Sequence, residues 1–199
     1  MADRSIKTEG LRRAIQIVAI LNLAYFGVEF AVALNIKSVS LFADSIDFLE
    51  DASVNFLILA ALGWSAIHRA RVGVVLAGML LIPGLATLWT AWQKLSMPIP
   101  PAPWPLSLAG LGALVVNFSC SLLLVRYRRY AGSLSRAAFL SARNDTLANI
   151  AIIGAGLVTA FIPSAWPDMI VGLGIALMNA GAAREVYITA REERRAARP

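Results

Sequence analysis

Six stretches of mostly apolar residues, each about long enough to cross a bilayer, follow one another along this chain: 14–34, 39–64, 72–92, 106–125, 137–161 and 166–187. A hydrocarbon core of about 30 Å is spanned by a helix of about 20 such residues. A soluble chain of this length cannot hide that much apolar surface. Of its 199 residues 58% are hydrophobic and 15% charged, whereas soluble domains run at about 45–50% and 25%. The chain therefore reads as an all-α integral membrane protein with six transmembrane helices. Disorder is excluded, because it requires low hydrophobicity. A disulfide scaffold is excluded, because Cys120 is the single cysteine. The first stretch is too long for a signal-peptide core, and no small-residue cleavage site follows it.

The breaks carry the chemistry of connectors. Residues 96–105 hold five prolines, which cannot continue a helix. Residues 162–167 form a short Pro-containing turn, and 126–135 a basic polar loop. Nothing remains for a second folded unit. Residues 1–13 are an N-terminal tail, 14–187 the membrane domain, and 188–199 a short tail rich in Arg and Glu.

The net charge of +6 raises the question of nucleic acid, and the placement of the charges answers it. Fifteen of the 18 Lys and Arg fall in the N-terminal tail, around the second and fourth loops and in the C-terminal end from Arg184 onward, all on one side of a six-span arrangement. Lys37 and Lys94 fall on the other side, and Arg143 lies inside the fifth stretch. Basic residues flanking spans stay cytoplasmic, so both termini are expected in the cytoplasm. Juxtamembrane clusters with no binding domain behind them exclude a nucleic-acid partner.

Acids divide the other way. Seven of the 12 lie in or against the apolar stretches: Glu29, Asp44, Asp47, Glu50, Asp51, Asp145 and Asp168. A charge at mid-bilayer costs about 2.5–3.5 kcal/mol even on insertion scales, and such groups mark ion or proton paths. In the second stretch Asp44, Asp47, Asp51 and Asn55 recur at three- and four-residue spacing and share a helix face; Glu50 sits at its edge. The fifth stretch echoes this with Ser141, Asp145 and Asn149, and the first offers Asn22, Tyr25 and Glu29 on one face. Two Asp one turn apart, facing a third from another helix, make an oxygen cage for a divalent cation. Carboxylates suit Mg²⁺, Mn²⁺ and Fe²⁺, and Zn²⁺ also accepts them. Crowded carboxylates cannot all ionise cheaply, which gives a route for exchanging metal against protons. The plainer alternative is that these Asp only hydrogen-bond neighbouring helices.

These residues resemble the cation diffusion facilitator family of six-span metal/proton antiporters. Asn22…Glu29, then Lys37-Ser-Val-Ser-Leu-Phe-Ala-Asp44-Ser-Ile-Asp47-Phe-Leu-Glu-Asp51, follows the family pattern Asn-x₆-Glu…Ser-x-x-Leu-x-Ala-Asp-(Ala/Ser)-x-(His/Asp)-x₃-Asp. Ser141-x₃-Asp145 stands where the family has His-x₃-Asp, and Trp166-Pro-Asp168 with Val171-Gly-Leu-Gly-Ile-Ala176 resembles the start of its sixth span. The resemblance implies that Asp47, Asp51 and Asp145 are metal ligands and that Ser141 occupies the fourth position. It implies that Glu29, Asp44 and Asp168 support the site or the packing and do not bind metal; Glu29, Asp44, Asn149 and Asn55 are the candidates for a supporting or proton-coupling role. It further implies a zinc-type exporter (Mn, Fe, Co and Cd being the other candidates) that works as a homodimer in a bacterial inner membrane, with no cofactor beyond the transported ion. Three departures stand out. A hydroxyl replaces imidazole at Ser141. No histidine lies in a span, since His68 is in a loop beside Arg69. The 12 residues after the sixth stretch are too few for the family's cytoplasmic C-terminal domain, which is therefore expected to be absent, and the loop before span five holds no histidine.

Two other functions compete. A membrane alcohol phosphotransferase needs Asp-x₂-Asp-Gly-x₂-Ala-Arg, but Phe48 follows Asp47 here. A degenerate transporter acting as a partner subunit is the other. The remaining features have structural readings. Trp64, Trp89, Trp92, Trp104 and Trp166 fall at span ends like an aromatic belt. The small residues around Gly154–Gly156 and Gly172–Gly181 suit close helix packing. Cys120 reads as a small apolar group, and Pro83-Gly84 as a static bend.

Overall fold

The computed structural model describes the backbone of residues 2–61, 85, 87–125 and 133–196; side chains of residues 2–8 and 133–144, among others, are outside the description. Most of the third predicted span and the loops around it, with His68, Arg69, Arg71, Pro83 and Gly84, lie outside the described residues, as do Arg126, Arg128 and Arg129. Every described element is helical. The order is α1 (Ala2–Ile36), α2 (Val39–Ala61), α3 (residues 87–96), α4 (Pro103–Val125), α5 (Ser133–Phe161) and α6 (Trp166–Ala196).

Four helix ends reach beyond the apolar stretches. The tails 2–13 and 188–196 continue α1 and α6 as helix, because their Arg, Glu and Ala are good helix formers and no proline interrupts them. Helix α4 begins at Pro103, inside the proline-rich connector. Proline costs nothing in a first turn, whose N–H groups have no helical partner. Helix α5 begins at Ser133, inside the predicted 126–135 loop.

Helix α1 pairs with α2 and α4 with α5; contacts of α1 with α4, and of α2 with α5 and α6, close the bundle. One core cluster joins Ala33, Leu41, Leu106, Ala109, Ile152 and Ile175 from five helices. A second joins Ile15, Val18, Cys120 and Leu124.

The distribution of polarity is inverted relative to a soluble bundle. Large apolar side chains face outward, among them Ile20, Leu108, Val115, Ile150 and Leu177, the last 73% exposed. Asn22, Glu29, Asp44, Asn117, Asn149 and Asp168 are buried between the helices. A monomeric soluble protein does not present an apolar surface of this extent, whereas in lipid the polar groups must turn inward. Glu9–Ile36 and Pro103–Val125 are long and apolar enough to cross a membrane, and shorter apolar runs cover Asp145–Phe161 and Trp166–Met178. Helix α2 is broken as an apolar run by its own four acids. The exposed Trp89, Trp92, Trp104 and Trp166 lie in α3 and in the first residues of α4 and α6, which places an aromatic belt at the end of the bundle where α1 turns into α2.

That turn is tightly built. Lys37 has φ 53°, and the Ser38 amide donates to the Ala33 carbonyl at 3.0 Å, which is the six-to-one bond of a left-handed helix cap. Ser38 then caps α2 by accepting from the Leu41 amide at 3.1 Å. Asp168, in the first turn of α6, accepts from the Val39 and Ser40 amides at 2.9 and 3.1 Å. It also accepts from the Ser38 and Ser40 hydroxyls, both at 2.6 Å. Lys94, at the end of α3, donates to the same carboxylate at 2.7 Å and to the Lys37 carbonyl at 2.8 Å. Helix α6 comes this close because Gly172 has no side chain: a Cβ there would stand 2.7 Å from the Val39 carbonyl carbon.

Candidate metal site

The acidic face of α2 is set by its register. Asp44, Asp47 and Asp51 follow one another by one turn, and α1 and α5 pack against that face. The carboxyls of Asp51 and Asp145 lie within hydrogen-bonding reach of each other across α2 and α5. Asp47 lies within electrostatic reach of both. Helix α1 contributes Asn22, whose amide nitrogen donates to Asp51 Oδ2 at 3.4 Å. The Asn22 carbonyl accepts from the Cys120 thiol at 3.7 Å, so α1 links α2 to α4 directly behind Asp51.

Exposure falls along this face. Asp51 and Asp145 are half-buried, Asp47 is 8% exposed, and Asp44 is fully buried. Beside Asp44 stands Glu29 of α1, also at 0% exposure. Their carboxyls face each other, and none of their oxygens meets a hydrogen-bond donor among the described residues. Two carboxyls are both acceptors unless one carries a proton, so proximity alone satisfies neither. Asn55 donates to the Asp51 backbone carbonyl at 2.7 Å, and its own side-chain oxygen is without a partner among the described residues. Asn149 is buried with both amide atoms unpartnered there.

The sequence-predicted residues thus come together in part. Asp51 and Asp145 meet, and Asp47 stands close by. Among the described residues, however, no three His, Cys, Asp or Glu groups close on a single point tightly enough to hold a metal ion. The backbone of Ser141 lies in α5 one turn before Asp145, and its side chain is outside the described residues. Tyr25, on the same face of α1, turns its hydroxyl to the Ala109 carbonyl at 2.6 Å and packs its ring on Phe48; it fastens α1 to α4.

Over residues 15–192 the chain matches the cation efflux transmembrane domain. It belongs to the cation efflux family, the cation diffusion facilitators. This is a family of cation transporters of the membrane and not of enzymes, which sets aside the phosphotransferase reading. No curated protein matches the chain. Within the cation efflux domain, two features escaped the sequence reading. Cys120 was expected only to pack, yet its thiol also bonds Asn22. Lys94 was read only as a residue on the far side of the membrane, yet it is the buried partner of Asp168. A lysine against the positive-inside trend, in a stretch otherwise devoid of charge, was the available signal.

Proposed function

We propose that this chain exports a divalent metal ion from the cytoplasm in exchange for protons, with Asp47, Asp51 and Asp145 as the ligands and Ser141 at the edge of the site. The observation that carries the reading is the meeting of Asp51 and Asp145 from separate helices, with Asp47 beside them, in a bundle whose outer surface is apolar. Like charges are not drawn together across a membrane helix interface for stability. Their cost is offset when a divalent cation or protons occupy the group.

The positive-inside pattern puts both termini in the cytoplasm, so the α1–α2 turn lies on the far side. The exposure gradient then has a direction: the half-buried Asp51 and Asp145 are nearer the cytoplasm, and the fully buried Asp44 lies beyond them. This supports loading from the cytoplasm. Oxygen donors favour a hard ion such as Mn²⁺ or Fe²⁺, and Zn²⁺, Co²⁺ and Cd²⁺ remain substrates of the same charge. A homodimer in a bacterial inner membrane completes the proposal.

The test is metal uptake into proteoliposomes for Zn²⁺, Mn²⁺, Co²⁺ and Fe²⁺, with and without a pH gradient, beside Asp47→Ala and Asp145→Ala. Flux should follow the gradient and vanish in both variants. A second reading, a partner subunit that no longer transports, is favoured by the lack of a closed three-group cage among the described residues. Wild-type flux no higher than that of the variants would establish it instead.

A further inference from the structure

Glu29, Asp44 and Asn149 share a property that the aspartates of the candidate site lack. All three are 0% exposed, and no polar atom of their side chains meets a hydrogen-bond partner among the described residues beyond the facing carboxyls of Glu29 and Asp44 themselves. Buried polar atoms without partners are rare, and each points to an unfilled role for water, an ion or chemistry.

They also lie on the same side of the three aspartates. Ala148 and Ile152 of α5 pack in one cluster with Leu41 and Ala43 of α2 and Ala33 of α1. Asn149 lies between those two residues, Asp44 follows Ala43, and Glu29 is one turn before Ala33. Helices α2 and α5 run antiparallel, since Asp145 meets Asp51 while Ala148 and Ile152 share a cluster with Leu41 and Ala43 at the start of α2. Asn149 is therefore displaced from Asp145 in the direction in which Asp44 is displaced from Asp51. Asp44 lies one turn beyond Asp47 and Asn149 one turn beyond Asp145, about 4.5–6 Å at 1.5 Å per residue, toward the α1–α2 turn.

We infer that Glu29, Asp44 and Asn149 form a second divalent-cation station, set between the three aspartates and the Asp168 clamp. Its role as the next stop for an exported ion rests on the proposed function; its capacity to bind does not. Two carboxylates match the charge of a divalent ion, and the Asn149 carbonyl adds a third oxygen from a third helix. A wholly oxygen donor set suits Mn²⁺. Two divalent ions less than about 10 Å apart repel, so the stations fill alternately and pass one ion along.

The experiment is Mn²⁺ binding to the purified full chain, followed by electron paramagnetic resonance of the free ion. The Asp145→Ala variant should keep one Mn²⁺ site per chain. Adding Glu29→Gln or Asp44→Asn should weaken that residual site by about tenfold or more. If Glu29→Gln does not yield monodisperse protein, Glu29→Asp, which withdraws the carboxylate by one methylene, should produce the same fall. Residual binding that is absent in Asp145→Ala, or unchanged by the added substitutions, overturns the station. Failure of the three-aspartate reading looks different: Glu29→Gln alone, with all three aspartates in place, would then remove Mn²⁺ binding.

Discussion

Asp168 and Asp44 are both fully buried aspartates, and their surroundings are opposite. The Asp168 carboxylate accepts five hydrogen bonds, from two amides, two hydroxyls and the Lys94 ammonium. Asp44 accepts none among the described residues and faces another carboxyl instead. A saturated carboxylate with a charge partner holds helices together, and nothing further needs to bind there. A starved one is a standing cost inside a membrane protein and is explained by what it does. The difference separates a structural acid from functional ones without reference to where they sit in the sequence.

The comparison breaks most visibly at Asp168. Asp168→Ala leaves Lys94 buried without a counter-charge and strips the first amides of α2 of their acceptor. Removing one partner of a buried ion pair costs about 3–5 kcal/mol, so the thermal midpoint in detergent should drop by many degrees. A midpoint near wild type would mean that the clamp does not hold the turn. Asp145→Asn is the mirror experiment. It removes a carboxyl from the side of Asp51, so the midpoint should stay level or rise while metal flux is lost. A large destabilisation there would return Asp145 to the structural class.

Gly172→Ala tests the clamp by shape instead of charge. The new methyl would stand 2.7 Å from the Val39 carbonyl carbon and 2.8 Å from the Ser40 nitrogen, and backbone cannot swing aside as a side chain can. Overpacking of this kind costs about 1–3 kcal/mol. Thermal unfolding should show a smaller drop than Asp168→Ala. Gly174→Ala is the internal control, because a Cβ there meets nothing within 4 Å.

What the sequence made legible follows from range. The acidic stripe of α2 and the echo at Asp145 and Asn149 are local patterns, readable from three- and four-residue spacing. The six apolar runs are local too. The clamp is not: Lys94 and Asp168 are 74 positions apart, and no periodicity links an isolated lysine to the first turn of another helix. The same holds for Cys120 and Asn22, 98 apart. Proline at 103 misled because its effect depends on position, forbidding a helix interior and favouring a first turn. The contrast between the saturated and the starved carboxylates was invisible for a deeper reason. Composition and spacing tell where an acid lies along a helix, but only tertiary packing decides how many donors reach it.

Asn22 sits between the two classes and makes the finest test. Its amide gives Asp51 a single long hydrogen bond of 3.4 Å, and its carbonyl is held by the weak Cys120 thiol at 3.7 Å. If Asn22 orients Asp51 for the ion, Asn22→Ala should weaken metal affinity while maximal flux persists. A net hydrogen bond is worth about 0.5–1.5 kcal/mol, and a bond this long belongs at the lower end, so the loss should be roughly two- to fourfold. Cys120→Ala should move the affinity less still, because it reaches Asp51 only through Asn22. Equal affinity in wild type and Asn22→Ala, with a lowered thermal midpoint, would instead make Asn22 a tie between α1 and α4 that does not orient Asp51.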